Sequence, residues 1–157
     1  EARHSSGGPH NLNGFLHRVV EGTAATLNAD TCAIFLVNPD EPGTINLAAQ
    51  YPPSEHAEQQ AAQLTFPLAE QHALAYALKR RKQLTLNVET DNPHLRSLYR
   101  LLGSQKTGPT VIQPILNQHR PLGVLVVGNN HSQRVLGPDA IQMCKSIAGQ
   151  VAAVLLD

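Results

Sequence analysis

The sequence is poor in the residues on which several protein classes depend. Its 157 residues include two cysteines, one methionine, no tryptophan and only 4% aromatic residues. Cys32 and Cys144 are too few and too far apart for a disulfide framework or a zinc cluster. No stretch reaches the roughly 18 consecutive apolar residues of a membrane-spanning helix, so we expect no membrane partner. The first residues do not resemble a signal peptide, and we expect a cytoplasmic location.

Charge is also scarce. Charged residues make up only 15% of the chain, and 12 basic residues balance 12 acidic ones. Nucleic-acid-binding domains are usually basic, so we expect no nucleic-acid partner. The balance hides an asymmetry, because residues 1–78 hold eight acids and two bases, whereas residues 79–157 hold ten bases and four acids. Solvated or complementary faces are the ordinary explanation. The alternative is a basic patch at residues 79–82 that meets an acidic partner or an anionic ligand.

Four segments have the composition and period of helices. Apolar residues recur at three- and four-residue steps, or strong helix formers dominate, in segments 11–28, 69–82, 92–102 and 138–157. Residues 54–63 fit either a short helix or a polar loop. The apolar face of the last segment continues to the end of the sequence, so we expect that helix to continue into a neighbouring module.

The remaining apolar segments are short and rich in β-branched residues, which is typical of strands. They cover residues 31–37, 44–49, 64–66, 84–87, 108–116 and 121–128. A short polar linker separates the last two, which favours an antiparallel hairpin. Residues 122–127 carry no polar side chain, so we expect a central strand that is buried on both faces. Pro114 removes a ladder donor, so its strand should lie at an edge or carry a bulge there.

This order of elements predicts an α+β fold, in which helices pack around one sheet. The length suits a single domain, which we place at residues 11–157. Residues 1–10 are polar and contain the run Gly-Gly-Pro, so we interpret them as a linker or a tag remnant outside the domain.

Two segments near the end of the chain resemble the C-terminal half of a GAF domain. Residues 114–128 have the family's proline, apolar pair, short polar turn and glycine with apolar residues after it. Residues 138–153 follow with an aspartate and a helix that contains Ile-Ala-Gly-Gln-Val-Ala. Residues 28–40 are similar to the family's entry into its first strand. The resemblance covers residues 11–157, and the long first helix favours GAF over the related PAS domains.

The resemblance implies a mostly antiparallel sheet of five or six strands. The N- and C-terminal helices would pack on one face, and central helices and loops would cover a small-molecule pocket on the other. It further implies a ligand-sensing and dimerising regulatory domain of a multidomain bacterial signal-transduction protein, such as a sensor kinase of a two-component system, a cyclase or a transcription regulator. A ligand-free structural dimerisation module is the alternative.

The expected homodimer would form through the terminal helices, because a narrow apolar stripe that outlasts the domain must be buried on another chain. The stripe residues on the two helices are Leu12, Phe15, Leu16, Val19, Ile147, Val151, Val154 and Leu155.

The expected ligand pocket draws on the central helices and on strands that face them. Its candidate residues are Phe66, Tyr76, Thr85, Leu98, Leu102, Val111 and Gln113. Gln113 is polar in an otherwise apolar strand, so it either orients a ligand or satisfies a neighbouring backbone group. The sequence identifies neither the small molecule nor a cofactor.

The sequence lacks most of the residues that are typical of specialised members of the family. Of the residues typical of cyclic-nucleotide binders, only Asn130 and Asp139 are present, and Asp139 also suits the first turn of a helix. Neither Cys32 nor Cys144 precedes the histidine that bilin attachment usually involves. Both lie in apolar stretches, so we expect small buried side chains rather than the thiols of a reductase.

Metal binding and catalysis have no clear support either. The eight histidines are scattered and lack the spacing of a metal-binding helix. Among them, His72 and His94 are the best candidates because they lie in the segment that would cover the pocket. The sequence contains no nucleophile elbow, phosphate loop or paired acids. We therefore expect no metal site, no catalytic residue and no enzyme activity in this domain.

Overall fold

A computed structural model describes residues 9–41, 43–53, 65–87 and 93–156. The expectations for residues 54–63 and for residues 1–8 of the linker lie outside these ranges. The helices are α1 (Pro9–Leu27), α2 (His72–Arg80), α3 (Pro93–Leu101) and α4 (Pro138–Leu155). The strands are β1 (Thr31–Val37), β2 (Thr44–Tyr51), β3 (Thr65–Pro67), β4 (Leu84–Leu86), β5 (Thr110–Asn117) and β6 (Arg120–Gly128). The first helix thus begins two residues before the predicted domain boundary.

The strands form one six-stranded sheet in the order β3-β2-β1-β6-β5-β4. Every neighbouring pair is antiparallel. Two-residue connections between strands require left-handed backbone, and Gln118 and His119 supply it in the β5–β6 turn with φ values of 49° and 78°. The predicted α+β fold with a mostly antiparallel sheet is therefore confirmed.

The central strands are buried on both sides of the sheet. Residues 123–128 of β6 are all buried, as the run of apolar side chains predicts. Pro114 lies within β5, which is not the edge strand, but β4 pairs only with residues 110–112. Among the described residues, no strand therefore lies beside Pro114 on that side, and the missing donor is tolerated at what is locally an edge.

The two faces of the sheet carry separate apolar cores. Cys32, Ile34 and Leu125 point toward α1 and α4, and we call this the terminal-helix face. Phe35 and Val126 point toward α2 and α3 on the other side, which we call the pocket face. Each strand supplies both faces because side chains alternate along it. Among the described residues, no helix is both long and apolar enough to cross a membrane.

The pocket face closes around Tyr99 of α3. The Tyr99 hydroxyl is buried and lies 2.7 Å from Oγ1 of Thr110, which in turn donates to the Gly108 carbonyl at 2.8 Å. A side chain at position 128 would collide with this hydroxyl, so glycine is required there. Residue 128 thus fixes how closely α3 approaches the sheet.

Candidate functional site

A cavity of about 310 Å³ opens on the pocket face, beside the edge strand β4. Its volume lies at the small end of the range of about 300–1,000 Å³ that is typical of small-molecule sites. The lining residues come from α2, β4 and α3, and they are His72, Ala73, Tyr76, Leu84, Leu86 and His94.

The local structure of α2 and β4 places these side chains together. His72, Ala73 and Tyr76 share one side of α2, since residues four apart lie above one another on a helix. Leu84 and Leu86 alternate with Thr85 along β4, so both leucines point to the pocket face. Both remain half-buried, because they pack against the core without being enclosed by it.

Two histidines lie at this cavity on different helices. The rings of His72 and His94 are 6.4 Å apart between centroids, at an interplanar angle of 63°. Both side chains are exposed to solvent. An imidazole offers an N–H donor in either neutral tautomer and two donors when protonated. The pair therefore adds hydrogen-bonding capacity to walls that are otherwise apolar.

The basic run at residues 79–82 begins at the C-terminal end of α2. The guanidinium carbon of Arg80 lies 5.5 Å from the centre of the Tyr76 ring, which is a cation–π contact. Arg81 ends the helix in a left-handed conformation, and its Nε donates to the His119 carbonyl at 2.6 Å. A cation thus lies next to a residue of the cavity wall.

Four of the seven predicted pocket residues lie on the pocket face. Tyr76 lines the cavity, and its side chain is 52% exposed. Leu98 and Leu102 are instead buried in the core behind it. Phe66 is half-buried and packs against the same core from β3. Burial in the core explains why the two leucines are absent from the lining, whereas Phe66 lies on β3, at the edge of the sheet opposite to β4.

The expectation that Thr85, Val111 and Gln113 face the central helices is wrong. Val111 is fully buried in the core of the terminal-helix face, and Gln113 has the same parity along β5. Thr85 is the cross-strand partner of Val111, so its side chain lies on that face too. The error is one of parity, because a shift of one residue moves a side chain to the opposite face of a sheet.

Gln113 satisfies polar groups next to α4. Its Oε1 accepts a hydrogen bond of 2.8 Å from Nε2 of Gln83, which also donates to the Ile141 carbonyl of α4 at 3.1 Å. Its own Nε2 donates to the Pro114 carbonyl at 3.2 Å. This arrangement corresponds to the backbone-satisfying alternative for Gln113.

Sequence reasoning missed three lining residues, namely Ala73, Leu84 and Leu86. The alternation around Thr85 shows that the two leucines share a face, but only the register with β5 shows which face it is. In contrast, the place of His72 and His94 in the central segment predicts that they lie near the pocket, and both line the cavity.

The proposed dimer contacts also separate into three groups by burial. Leu16 and Val151 are fully buried between the helices and the sheet of the same chain, so they are not available to a partner and that expectation is wrong for them. Val154 is 38% exposed. The remaining contacts are half-buried against the core, and they are Leu12, Phe15, Val19, Ile147 and Leu155.

A polar network fixes the loop between β6 and α4. Asn130 accepts from Oγ1 of Thr31 at 2.8 Å and donates to Oγ of Ser104 at 2.9 Å. Asp30 accepts from the backbone N–H groups of His131 and Ser132 at 2.9 and 2.6 Å. Burial raises the pKa of Asp30, but these hydrogen bonds outweigh it and leave the pKa lowered. Both the oxygen and the nitrogen of the Asn130 side chain thus have hydrogen-bond partners within the protein.

Both cysteines belong to the apolar core of the terminal-helix face. Burial raises the pKa of Cys144 to about 11, and burial together with the neighbouring Cys144 raises the pKa of Cys32 further. Such thiols are weak nucleophiles, since the thiolate is the reactive form. Within the described ranges, no three side chains of histidine, cysteine, aspartate or glutamate converge to hold a metal ion.

The sequence model of the GAF domain family matches residues 11–155. The chain belongs to the GAF domain family. This confirms the family that the sequence resembles. GAF domains are in general regulatory, non-catalytic modules, so this GAF domain is placed among sensory and regulatory domains.

Solved structures agree with this family and fold. The GAF domain of a phosphoenolpyruvate-protein phosphotransferase from Coxiella burnetii superposes with a TM-score of 0.77 at 22% identity, covering 99% of this chain and 88% of that one. The corresponding Acinetobacter domain gives a TM-score of 0.73 at 18% identity, covering 92% and 82%. A methyl-accepting chemotaxis protein fragment gives 0.74 at 18% identity, covering 92% and 88%. A comparison with curated proteins finds no match.

Proposed function

We propose that this GAF domain senses a small molecule in the cavity between α2, β4 and α3. The cavity itself carries the proposal, because it combines apolar walls with a few polar groups, as small-molecule sites usually do. Its place on the pocket face leaves α1 and α4 on the terminal-helix face free to transmit a signal. A ligand would occupy the existing cavity, so the fully buried cores on the two faces of the sheet need not rearrange when it binds.

Strand β4 offers a route from the cavity to α4, since hydrogen bonds on both sides of it reach the region of the last helix. On one side, Gln83 donates to the Ile141 carbonyl. On the other side, Asn87 exchanges two hydrogen bonds with the backbone of Leu136, at 3.2 and 3.4 Å. A ligand that moves the cavity wall on β4 would therefore also bias the position of α4.

The same proposal includes a homodimer through the terminal helices. Val154 and Leu156 at the end of α4 are 38% and 50% exposed, and Met143 on the same helix is 38% exposed. Large apolar side chains grouped in this way are commonly buried by a partner. Dimerisation would place two copies of α4 together, so that a shift in one helix is passed to the other.

Native mass spectrometry of the purified protein tests ligand sensing directly. We expect a co-purified small molecule, or thermal stabilisation by members of a metabolite panel, that is lost in Leu86→Trp because the indole fills the cavity. The control is Leu122→Trp, a half-buried leucine on the terminal-helix face. If wild-type protein retains no molecule and no metabolite stabilises it, the ligand-free structural dimerisation module replaces this proposal.

Light scattering tests the dimer. We expect a dimer mass at ~100 μM, and a monomer mass for the double variant Val154→Asp/Leu156→Asp, because two charges would have to be buried at the interface. The control is Tyr51→Asp, which places a charge at an exposed apolar residue of β2. A monomer mass for the wild type, or a dimer that the double variant leaves intact, contradicts an interface at the end of α4.

A further inference from the structure

We propose that the cavity selects small planar aromatic compounds, and that the ring of Tyr76, positioned by Arg80, provides this selectivity. The proposal rests on the sensing function above and goes further, because it names the chemical class of the ligand and assigns roles to two side chains. It follows from the composition of the walls, from the size of the cavity and from the contact between Arg80 and Tyr76.

The walls of the cavity are suited to a ligand that is largely apolar. Leu84, Leu86 and Ala73 present hydrocarbon, and no lining residue that the structure describes carries a carboxylate, ammonium or guanidinium group. A ligand with several hydroxyl groups would give up its hydration against walls that return few hydrogen bonds. Removing apolar ligand surface from water against the same walls is favourable. The body of the ligand is therefore hydrocarbon.

The size of the cavity limits the ligand to a small molecule. The cavity volume is about 310 Å³. An apolar cavity of about 150 Å³ inside a protein can hold one benzene molecule. The cavity on the pocket face therefore has room for one ring with a short substituent, or for two fused rings.

Tyr76 is the part of the wall that can distinguish an aromatic ring from a saturated one. It is the most exposed aromatic side chain among the described residues, at 52%. Two aromatic rings attract each other in offset-stacked or edge-to-face arrangements, beyond the effect of the area that they bury. A saturated ring of the same size has no such attraction. Contact with Tyr76 therefore gives an aromatic ligand about two- to twelvefold in affinity.

Arg80 holds the Tyr76 ring at the cavity. The two residues are four apart on α2 and are therefore neighbours on its surface. The guanidinium carbon lies over the ring, 5.5 Å from its centre, so the cation covers one face of the ring. The opposite face and the ring edge remain for a ligand, and both suit a second aromatic ring. Arg80 is thus a positioning residue that need not touch the ligand.

Matched pairs of aromatic and saturated alcohols test the proposal. The probes are benzyl alcohol against cyclohexylmethanol, and 2-phenylethanol against 2-cyclohexylethanol, with affinities measured by NMR chemical-shift titration. Each pair has the same number of heavy atoms and the same hydroxyl group. The saturated member is the more hydrophobic, so burial alone predicts that it binds more tightly. We expect the opposite order, with the aromatic member at least about twofold tighter in the wild type.

Variants of both residues assign the effect. Tyr76→Leu should bring the affinity ratio to one or below, whereas Tyr76→Phe should keep it because the ring remains. Arg80→Leu should reduce the ratio, and Arg80→Lys should restore it, because an ammonium group also attracts the face of a ring. The control is Tyr51→Leu, which removes an exposed tyrosine of β2 outside the cavity and should keep the full ratio.

A ratio of one or below in the wild type overturns the proposal, as does a full ratio in Tyr76→Leu. A full ratio in Arg80→Leu overturns the role of Arg80. If no probe binds, the aromatic class is wrong, whereas the co-purified molecule and the metabolite panel decide ligand sensing separately. Binding of the saturated members alone would likewise remove the aromatic selectivity and leave ligand sensing intact.

Discussion

The two faces of this sheet are made from the same strands but differ in how completely they are covered. On the terminal-helix face, α1 and α4 extend over the sheet, and their inward residues such as Leu16, Cys144 and Val151 are fully buried. On the pocket face, the helices of the described residues are α2 and α3, which have nine residues each, and Leu84 and Leu86 of the edge strand β4 are only half-buried. The site therefore arises where short helices leave a sheet edge half-covered.

Polar groups also behave differently on the two faces. On the terminal-helix face, the amides of Gln83 and Gln113 bond to each other and to backbone carbonyls. On the pocket face, the exposed imidazoles of His72 and His94 lie at the mouth of a cavity. The hydrogen bonds of the two amides support the fold, whereas the two imidazoles are exposed beside apolar walls. Under the proposed function, the first face serves stability and the second serves binding.

Replacing one leucine on each face gives the largest expected contrast. Leu16→Ala on α1 should lower the free energy of unfolding by about 2–5 kcal/mol, because it leaves a cavity in a closed core. Leu84→Ala on β4 should cost about 1 kcal/mol or less, since its side chain is half-buried at an open cavity. Urea denaturation of both variants measures the difference. Equal costs would mean that the edge strand is as tightly packed as the core.

The next largest effect is expected at alkaline pH, from the buried thiols of the terminal-helix face. The pKa of Cys144 is raised from 9.0 to about 11, so the folded state holds its thiol proton more tightly than the unfolded state does. This contribution is complete below about pH 9 and is lost as the pH rises through about 11, which amounts to about 2–3 kcal/mol. Cys32, whose pKa is raised as well, adds to the loss in the same direction.

The double variant Cys32→Ala/Cys144→Ala provides the check on this assignment. Denaturation of wild type and variant at several pH values should show that the decline beginning near pH 9 is absent from the variant. A decline that persists unchanged would show that the buried thiols of the terminal-helix face do not cause it.

Much of this fold was predictable from the sequence because its signals are local. The apolar run of β1, the antiparallel hairpin of β5 and β6, and the helical stripe of α4 all occur at the predicted places. Family resemblance then placed the terminal helices together on one face. The ends of elements were less accurate, since α1 begins at Pro9 and α4 ends at Leu155 rather than at the last residue.

The candidate site was predictable only in part, because it depends on which face each strand residue occupies. Thr85, Val111 and Gln113 were assigned to the wrong face, although their segments were correctly identified as strands. The face follows from the pairing of β4 with β5, which joins segments more than 20 residues apart. On helices the error is smaller, since Tyr76 and His72 follow from a single period along α2.

Removing the hydroxyl of Tyr99 should have a smaller effect, confined to the pocket face. Tyr99→Phe loses the bond to Thr110, which should cost about 1 kcal/mol, because Thr110 still donates to Gly108. Burial raises the pKa of Tyr99 to about 12 from 10.0, so the variant should also lose the stability decline between about pH 10 and pH 12. Thermal unfolding near pH 7 and pH 11 measures both effects. Tyr51→Phe, at an exposed tyrosine, should change neither.

The smallest expected effect concerns Asp30, which connects the turn before β1 to the loop after β6. Asp30→Ala removes the acceptor for the N–H groups of His131 and Ser132, but both lie near solvent, so the cost should be below about 1 kcal/mol. Because the pKa of Asp30 is lowered from 3.8, this contribution is present above about pH 4 and is lost as the pH falls through the folded-state pKa.

Wild type and the Asp30→Ala variant should therefore have the same stability in strong acid and differ near neutral pH, which urea denaturation at several pH values measures. Asp40→Ala, at an exposed acid in the β1–β2 turn, should match the wild type throughout. A constant difference at every pH would assign the effect to altered packing rather than to the carboxylate.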